Sequence, residues 1–135
     1  MKQIIIIGKG KGYKDAPKYG ETWGVNDLCL RRDVSLVFNM HRSDLISQPE
    51  IDYVNKKGVP FITLEEIKGI PSSIRFPIEE MHTEYFTNSL AYMIAYAVHK
   101  KATQIHLYGF GLDRTSKYDK QRHNVDYWIG YARGS

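Results

Sequence analysis

Cysteine is almost missing from this chain: its 135 residues include one, Cys29, so no internal disulfide can form. A secreted, disulfide-built framework is excluded, and a reducing, cytoplasmic setting is expected. Long apolar runs are missing as well. None approaches the roughly 18 residues of a membrane span, and only Lys2 stands as a cation before a short N-terminal apolar run. The chain is therefore expected to be soluble, with no membrane partner. Charge of one sign is in small excess only. The 19 Lys and Arg against 15 Asp and Glu leave +4, which suits a basic pocket for a small anion better than a surface that coats nucleic acid. Nucleic acid is accordingly a disfavoured partner. None of the five histidines has a mate at HExxH-type spacing, so an all-protein metal site is not expected. Asp113 and Asp119 are the acids that could hold an ion beside bound phosphates. No Gly-x-Ser-x-Gly elbow occurs, and Cys29 between Leu28 and Leu30 reads as a small buried hydrophobe. Nucleophilic hydrolase chemistry is disfavoured on both grounds.

What is present reads as one domain over residues 1–135. With 42% hydrophobic and 25% charged residues, a chain of this size buries about two-thirds of the surface it exposes when unfolded. Ile4-Ile5-Ile6-Ile7 is a β-branched run without alternation that stops at Gly8, the signature of a strand buried on both faces of a parallel sheet and here taken as its central strand. Residues 8 to 20 hold four glycines and four lysines without periodicity and read as a long, functional loop with at most one helical turn. Thr22 to Asn26 and Val34 to Asn39 are two further strands, each ending in asparagine. Pro49 to Lys57 reads as a helix stopped by Gly58, and Val59 to Leu64 as a peripheral strand because Pro60 has no donor. Residues 65 to 86 read as mostly irregular, with a short edge strand at 74–78. Asn88 to Ala102 is the clearest helix, with N-cap residues and a broad apolar surface. Gln104 to Tyr108 follows as a strand, 112–120 as polar loop, and Gln121 to Tyr131 as a final helix with Val125, Trp128 and Ile129 inward. Helix and strand alternate in the grammar of a three-layer, Rossmann-like α/β domain with a mainly parallel sheet.

Ligands of open α/β sheets collect outside the carboxyl ends of the strands. The residues there are Gly8-Lys9-Gly10-Lys11-Gly12, Asn26, Asn39 to His41 and Gly109, with the helix start at Asn88-Ser89 nearby. Glycines admit backbone N–H groups to an anion and the lysines neutralise it. The spacing matches neither a dinucleotide fingerprint nor a Walker loop, which points to a nucleotide contact outside the NAD and ATP-hydrolysing classes. Side-chain amides at Asn26 and Asn39 can donate to and accept from a base or ribose, or close a strand by capping local backbone. Asn88 and Ser89 are an N-cap, and also a place where a phosphate sits. The general-base candidates are His123, before the final helix, and His41, after a strand end. Tyr118 could assist a departing phosphate, as could Lys9 and Lys11.

Taken in order, IIIIGKGKG, Trp23-Gly-Val-Asn26, Leu36-Val-Phe-Asn39, and Asn88-Ser-Leu-Ala-Tyr-Met-Ile-Ala-Tyr-Ala followed by Ile105-His-Leu-Tyr-Gly109 resemble the bacterial CMP-sialic-acid-dependent sialyltransferases of lipooligosaccharide synthesis and their Rossmann-like relatives. Short chains of this pattern also look like bacteriophage products, which would place the protein in a bacterial host's cytoplasm. The resemblance implies a CMP-type nucleotide or nucleotide-sugar as ligand or substrate, held by Gly8, Gly10, Asn26 and Ser89, with His123 as base. It also implies transfer of a sugar by direct displacement. A binding protein that captures a nucleotide or a nucleotide-derived signal without reacting it is the alternative expectation. The base, the sugar, the acceptor and the oligomeric state are left open by the residues.

Overall fold

The computed structural model of the chain describes residues 2–110 and 119–134, the side chains of 119–124 excepted. Six strands, β1 (Gln3–Ile7), β2 (Thr22–Val25), β3 (Leu36–Asn39), β4 (Phe61–Thr63), β5 (Ser73–Arg75) and β6 (Gln104–Tyr108), form one sheet in the order β5-β4-β3-β2-β1-β6. Every pairing is parallel. Three helices, α1 (Gln48–Lys57), α2 (Ser89–His99) and α3 (Asp119–Arg133), and four short 3-10 turns make the connections. None of the helices is long and apolar enough to cross a membrane among the described residues.

The alternation of each strand divides its side chains between two cores. Ile4, Ile6, Trp23, Val25 and Phe38 pack under α2 and α3, where Phe38 and Tyr96 meet edge to face at 5.4 Å. Ile5, Ile7, Val37 and Phe61 pack with Val54 of α1 and with Leu28 and Cys29 of the 3-10 turn Asn26–Leu30. Helical layers thus cover both faces, which is the three-layer α/β architecture. Two local readings are corrected. β1 stands second from an edge, not at the centre: a branched run records burial on two faces, which a penultimate strand between β2 and β6 also has. The edge strand of the irregular region is Ser73–Arg75, because Phe76 turns its side chain into the α2 core at 2% exposure. The last helix is also longer than its apolar residues suggested, beginning at Asp119.

The chain steps from β1 outward to β5, and α2 then carries it back across the sheet to β6 on the other side of β1. The order therefore reverses between β1 and β6, where an open α/β sheet usually has its ligand crevice. There, among the described residues, the two strand ends are joined by backbone. The Gly8 N–H donates to the Tyr108 carbonyl at 2.8 Å and the Gly10 N–H to the Gly109 carbonyl at 2.7 Å. A Cβ on Gly8 would lie 2.7 Å from the Gly109 oxygen; one on Gly109, whose φ is 75°, would lie 2.5 Å from the Gly8 oxygen. Both glycines are required by this crossing. Gly109→Ala is expected to cost about 2–4 kcal/mol, combining overpacking against backbone with an unfavourable φ. Gly12→Ala, where only the positive φ of 92° opposes a side chain, is expected to cost about 1 kcal/mol. Urea unfolding of the two variants measures the difference.

Candidate functional site

Among the described residues, polar groups at the carboxyl ends gather at β2 and β3. Val25 pairs with Phe38 in register, so Asn26 and Asn39 follow at the same level on adjacent strands. Asn39 is 3% exposed and Glu50, in the first turn of α1, is 2% exposed. The Asn39 amide nitrogen donates to the Glu50 carboxylate at 2.9 Å. The amide oxygen then faces outward, accepting the His41 backbone N–H at 3.1 Å and lying 2.8 Å from His41 Nδ1.

The polarity of this chain is determined by its members. A backbone N–H only donates, so the Asn39 atom facing His41 is the carbonyl oxygen, and a carbonyl oxygen only accepts. His41 Nδ1 therefore carries the proton. In the neutral ring Nε2 is then the acceptor, on an exposed imidazole anchored at one corner. His41 lines a cleft of about 620 Å³ between the segments after β3 and β4, together with Arg42, Asp44, Thr63, Glu65 and Lys68 among others. Burial raises the Glu50 pKa above the usual carboxylate range; the bond from Asn39 opposes the shift, Asp27 adds to it and Lys9 reduces it. Cys29 nearby has its thiol pushed up to about 12, by burial first and then by Glu50 and Asp27, which makes it an inert packing group.

Asn26 supplies a second feature. It adopts φ 53°, in the left-handed region, and its Oδ1 is buried with no hydrogen-bond partner. Beside it Lys9 Nζ meets Asp27 at 2.8 Å, with both side chains about two-fifths exposed, and this pair holds the Asp27 carboxyl below its ordinary range.

The glycine loop itself is braced rather than open. Arg32 donates to the carbonyls of Tyr13, Ala16 and Pro17, and Arg31 to that of Lys9. Gly8, Gly10 and Gly109 are engaged with one another, Gly12 starts the 3-10 turn Tyr13–Asp15, and Lys11 is exposed. Asn88 caps α2, its Oδ1 accepting the Ala91 N–H at 3.0 Å, and Ser89 is the first helical residue. Of the base candidates, His41 sits in the polar chain, whereas the His123 side chain lies outside the described residues. So do Asp113, Tyr118 and the Asp119 side chain. His106 lies exposed on β6 beside Gln104. No cluster of His, Cys, Asp or Glu with metal-holding geometry occurs among the described residues.

Glu50 was missed by sequence reasoning. Ser47-x-x-Glu50 has the form of a capping box, and Ser47 does accept the Glu50 N–H at 3.4 Å. The Glu50 side chain, however, turns inward to Asn39. No family model, curated protein or solved structure matches this chain.

A carboxyl raised by the fold contributes stability that is present below its ordinary pKa of 4.5 and lost as pH rises through the elevated folded value. Glu50→Gln keeps an acceptor for Asn39 and removes the titration. The variant is expected to match the wild type near pH 4 and to be the more stable protein at pH 7, as denaturant midpoints at the two pH values will show.

Proposed function

We propose that this chain binds a nucleotide or nucleotide-sugar of the CMP type across the carboxyl ends of β1 to β3, and that His41 is its proton acceptor. The observation that carries the reading is the Glu50–Asn39–His41 chain. It spends a buried carboxylate and a buried amide on fixing the tautomer of one exposed imidazole, an arrangement with a use in proton transfer and little use in stability. Near it the partly exposed Lys9 offers a cation to a phosphate.

In the catalytic form of this reading the chemistry is sugar transfer by direct displacement. The acceptor hydroxyl oxygen attacks the sugar carbon as its proton passes to His41 Nε2. The bond from that carbon to the phosphate oxygen breaks with its electron pair, and the nucleotide leaves with its charge met by Lys9 or Lys11. Capture of a nucleotide without turnover is the second reading. It is favoured by one specific feature: Arg31 and Arg32 are committed to backbone carbonyls and Lys9 to Asp27, which leaves few cations for a leaving group.

A thermal-shift panel of CMP, CDP, UDP, GDP, ADP, NAD, CMP-sialic acid and UDP-sugars, with and without magnesium, tests the reading. A ligand at a hundredfold over its Kd adds about 2.7 kcal/mol, a shift of several degrees. A selective shift with cytidine nucleotides is expected, and a flat panel contradicts the proposal. Where turnover is found, His41→Ala is expected to lower it by about 10²–10⁴ while the nucleotide shift is retained; loss of the shift with unchanged turnover would assign His41 to binding.

A further inference from the structure

The sheet has two edges, and they differ in how they are protected. β5 is three residues long, stands between Pro71 and Pro77, and carries Arg75 clamped to Glu79 at 2.8 and 2.9 Å. Shortness, proline and charge are the usual means of blocking an exposed strand edge. β6 is five residues long, Gln-Ile-His-Leu-Tyr, with no proline, lysine, arginine or acid. Among the described residues its outer edge pairs with nothing, and Leu107 is 37% exposed. Beside this edge runs a groove of about 1030 Å³ whose apolar wall includes Ile94 and Val98 of α2, Ile129 of α3, and Ile105 and Leu107 themselves. None of the carboxyl-end site residues lines it.

The hydrogen-bond directions of β6 follow from its partner. The Tyr108 carbonyl receives Gly8 N–H, and in a parallel ladder alternate residues face the same neighbour. Gln104, His106 and Tyr108 thus turn their main-chain groups toward β1, while Ile105 and Leu107 turn theirs to the open side. We propose that this open side is the interface for a second copy of the chain, the two β6 strands pairing antiparallel about a two-fold axis at His106.

The pattern of β6 is complementary to itself in that arrangement. Ile105 of each copy lies opposite Leu107 of the other, forming two hydrogen-bonded pairs and four main-chain hydrogen bonds, with apolar cross-strand contacts on the groove side. Gln104 lies opposite Tyr108 on the other face, and His106 opposite its own equivalent. Charge permits the pairing. The groove mouth carries Glu80 together with Lys101 and Arg133, so a second copy meets both signs and not a like-charged field. The result is a continuous twelve-stranded sheet with the short, proline-flanked β5 at each end.

Light scattering of the full chain at high micromolar concentration is the first test, with a mass near twice 15.6 kDa expected. His106→Cys supplies the geometric test. Residues facing each other in a non-hydrogen-bonded antiparallel pair have Cα atoms about 4.5 Å apart, within disulfide range. The variant is expected to form a reductant-reversible dimer with diamide, without competition from the buried Cys29. Leu107→Lys is expected to be monomeric with unchanged far-UV circular dichroism; if it does not fold, the cross-linking of the His106→Cys variant decides alone. A monomeric wild type overturns the proposal. So does a dimer that survives Leu107→Lys while His106→Cys fails to cross-link, since another surface would then be holding it.

Discussion

The contact between Gly8 and Gly109 organises the rest of the molecule. Two backbone segments from opposite ends of the chain pass so closely that neither position has room for a Cβ, and the hydrogen bonds Gly8 to Tyr108 and Gly10 to Gly109 extend the β1–β6 ladder past the strand ends. Main chain thus bridges β1 and β6 at the point where the sheet order reverses. A buried backbone crossing of this kind is intolerant of side chains because neither oxygen can move without breaking ladder hydrogen bonds. The polar side chains Asn26 and Asn39 follow β2 and β3, and the cleft lined by His41 lies between the segments after β3 and β4.

Asn39 is the junction at that position. Its one amide group links the end of β3 to the first turn of α1 through Glu50 and reaches the surface through His41. A carboxylate at 2% exposure with one side-chain hydrogen bond is an expensive group to keep, and an apolar pair of the same volume would hold helix to sheet at least as well. What the polar version adds is direction. In the neutral imidazole Asn39 favours the proton on Nδ1, and the ring, anchored at one edge, lines a cleft. That asymmetry is the reason the proposed chemistry is placed on His41.

Much of the fold was legible because local patterns recorded it directly. The branched run Ile4–Ile7 announced a doubly buried parallel strand, and Asn88 before a broad apolar stretch announced α2. What local patterns cannot record is the identity of a distant neighbour. Gly8 read as part of a phosphate loop, and its close approach to Gly109 was hidden because freedom from a Cβ serves an anion or a crossing backbone alike. Glu50 was hidden for a related reason: in Ser47-x-x-Glu50 a capping role accounts for the glutamate, and nothing nearby in sequence reveals Asn39 beneath it. Asn39 and His41 were readable as strand-end residues, but their connection was not.

The central claim is that Asn39 and Glu50 hold His41 as a single neutral tautomer. Its most direct test is the ¹⁵N spectrum of the His41 ring above its titration, compared with that of Asn39→Ala. The wild type is expected to show a protonated Nδ1 and an unprotonated Nε2, giving way to a mixture of tautomers in the variant. A proton on Nε2 in the wild type, or a ring that ignores the loss of Asn39, would contradict it.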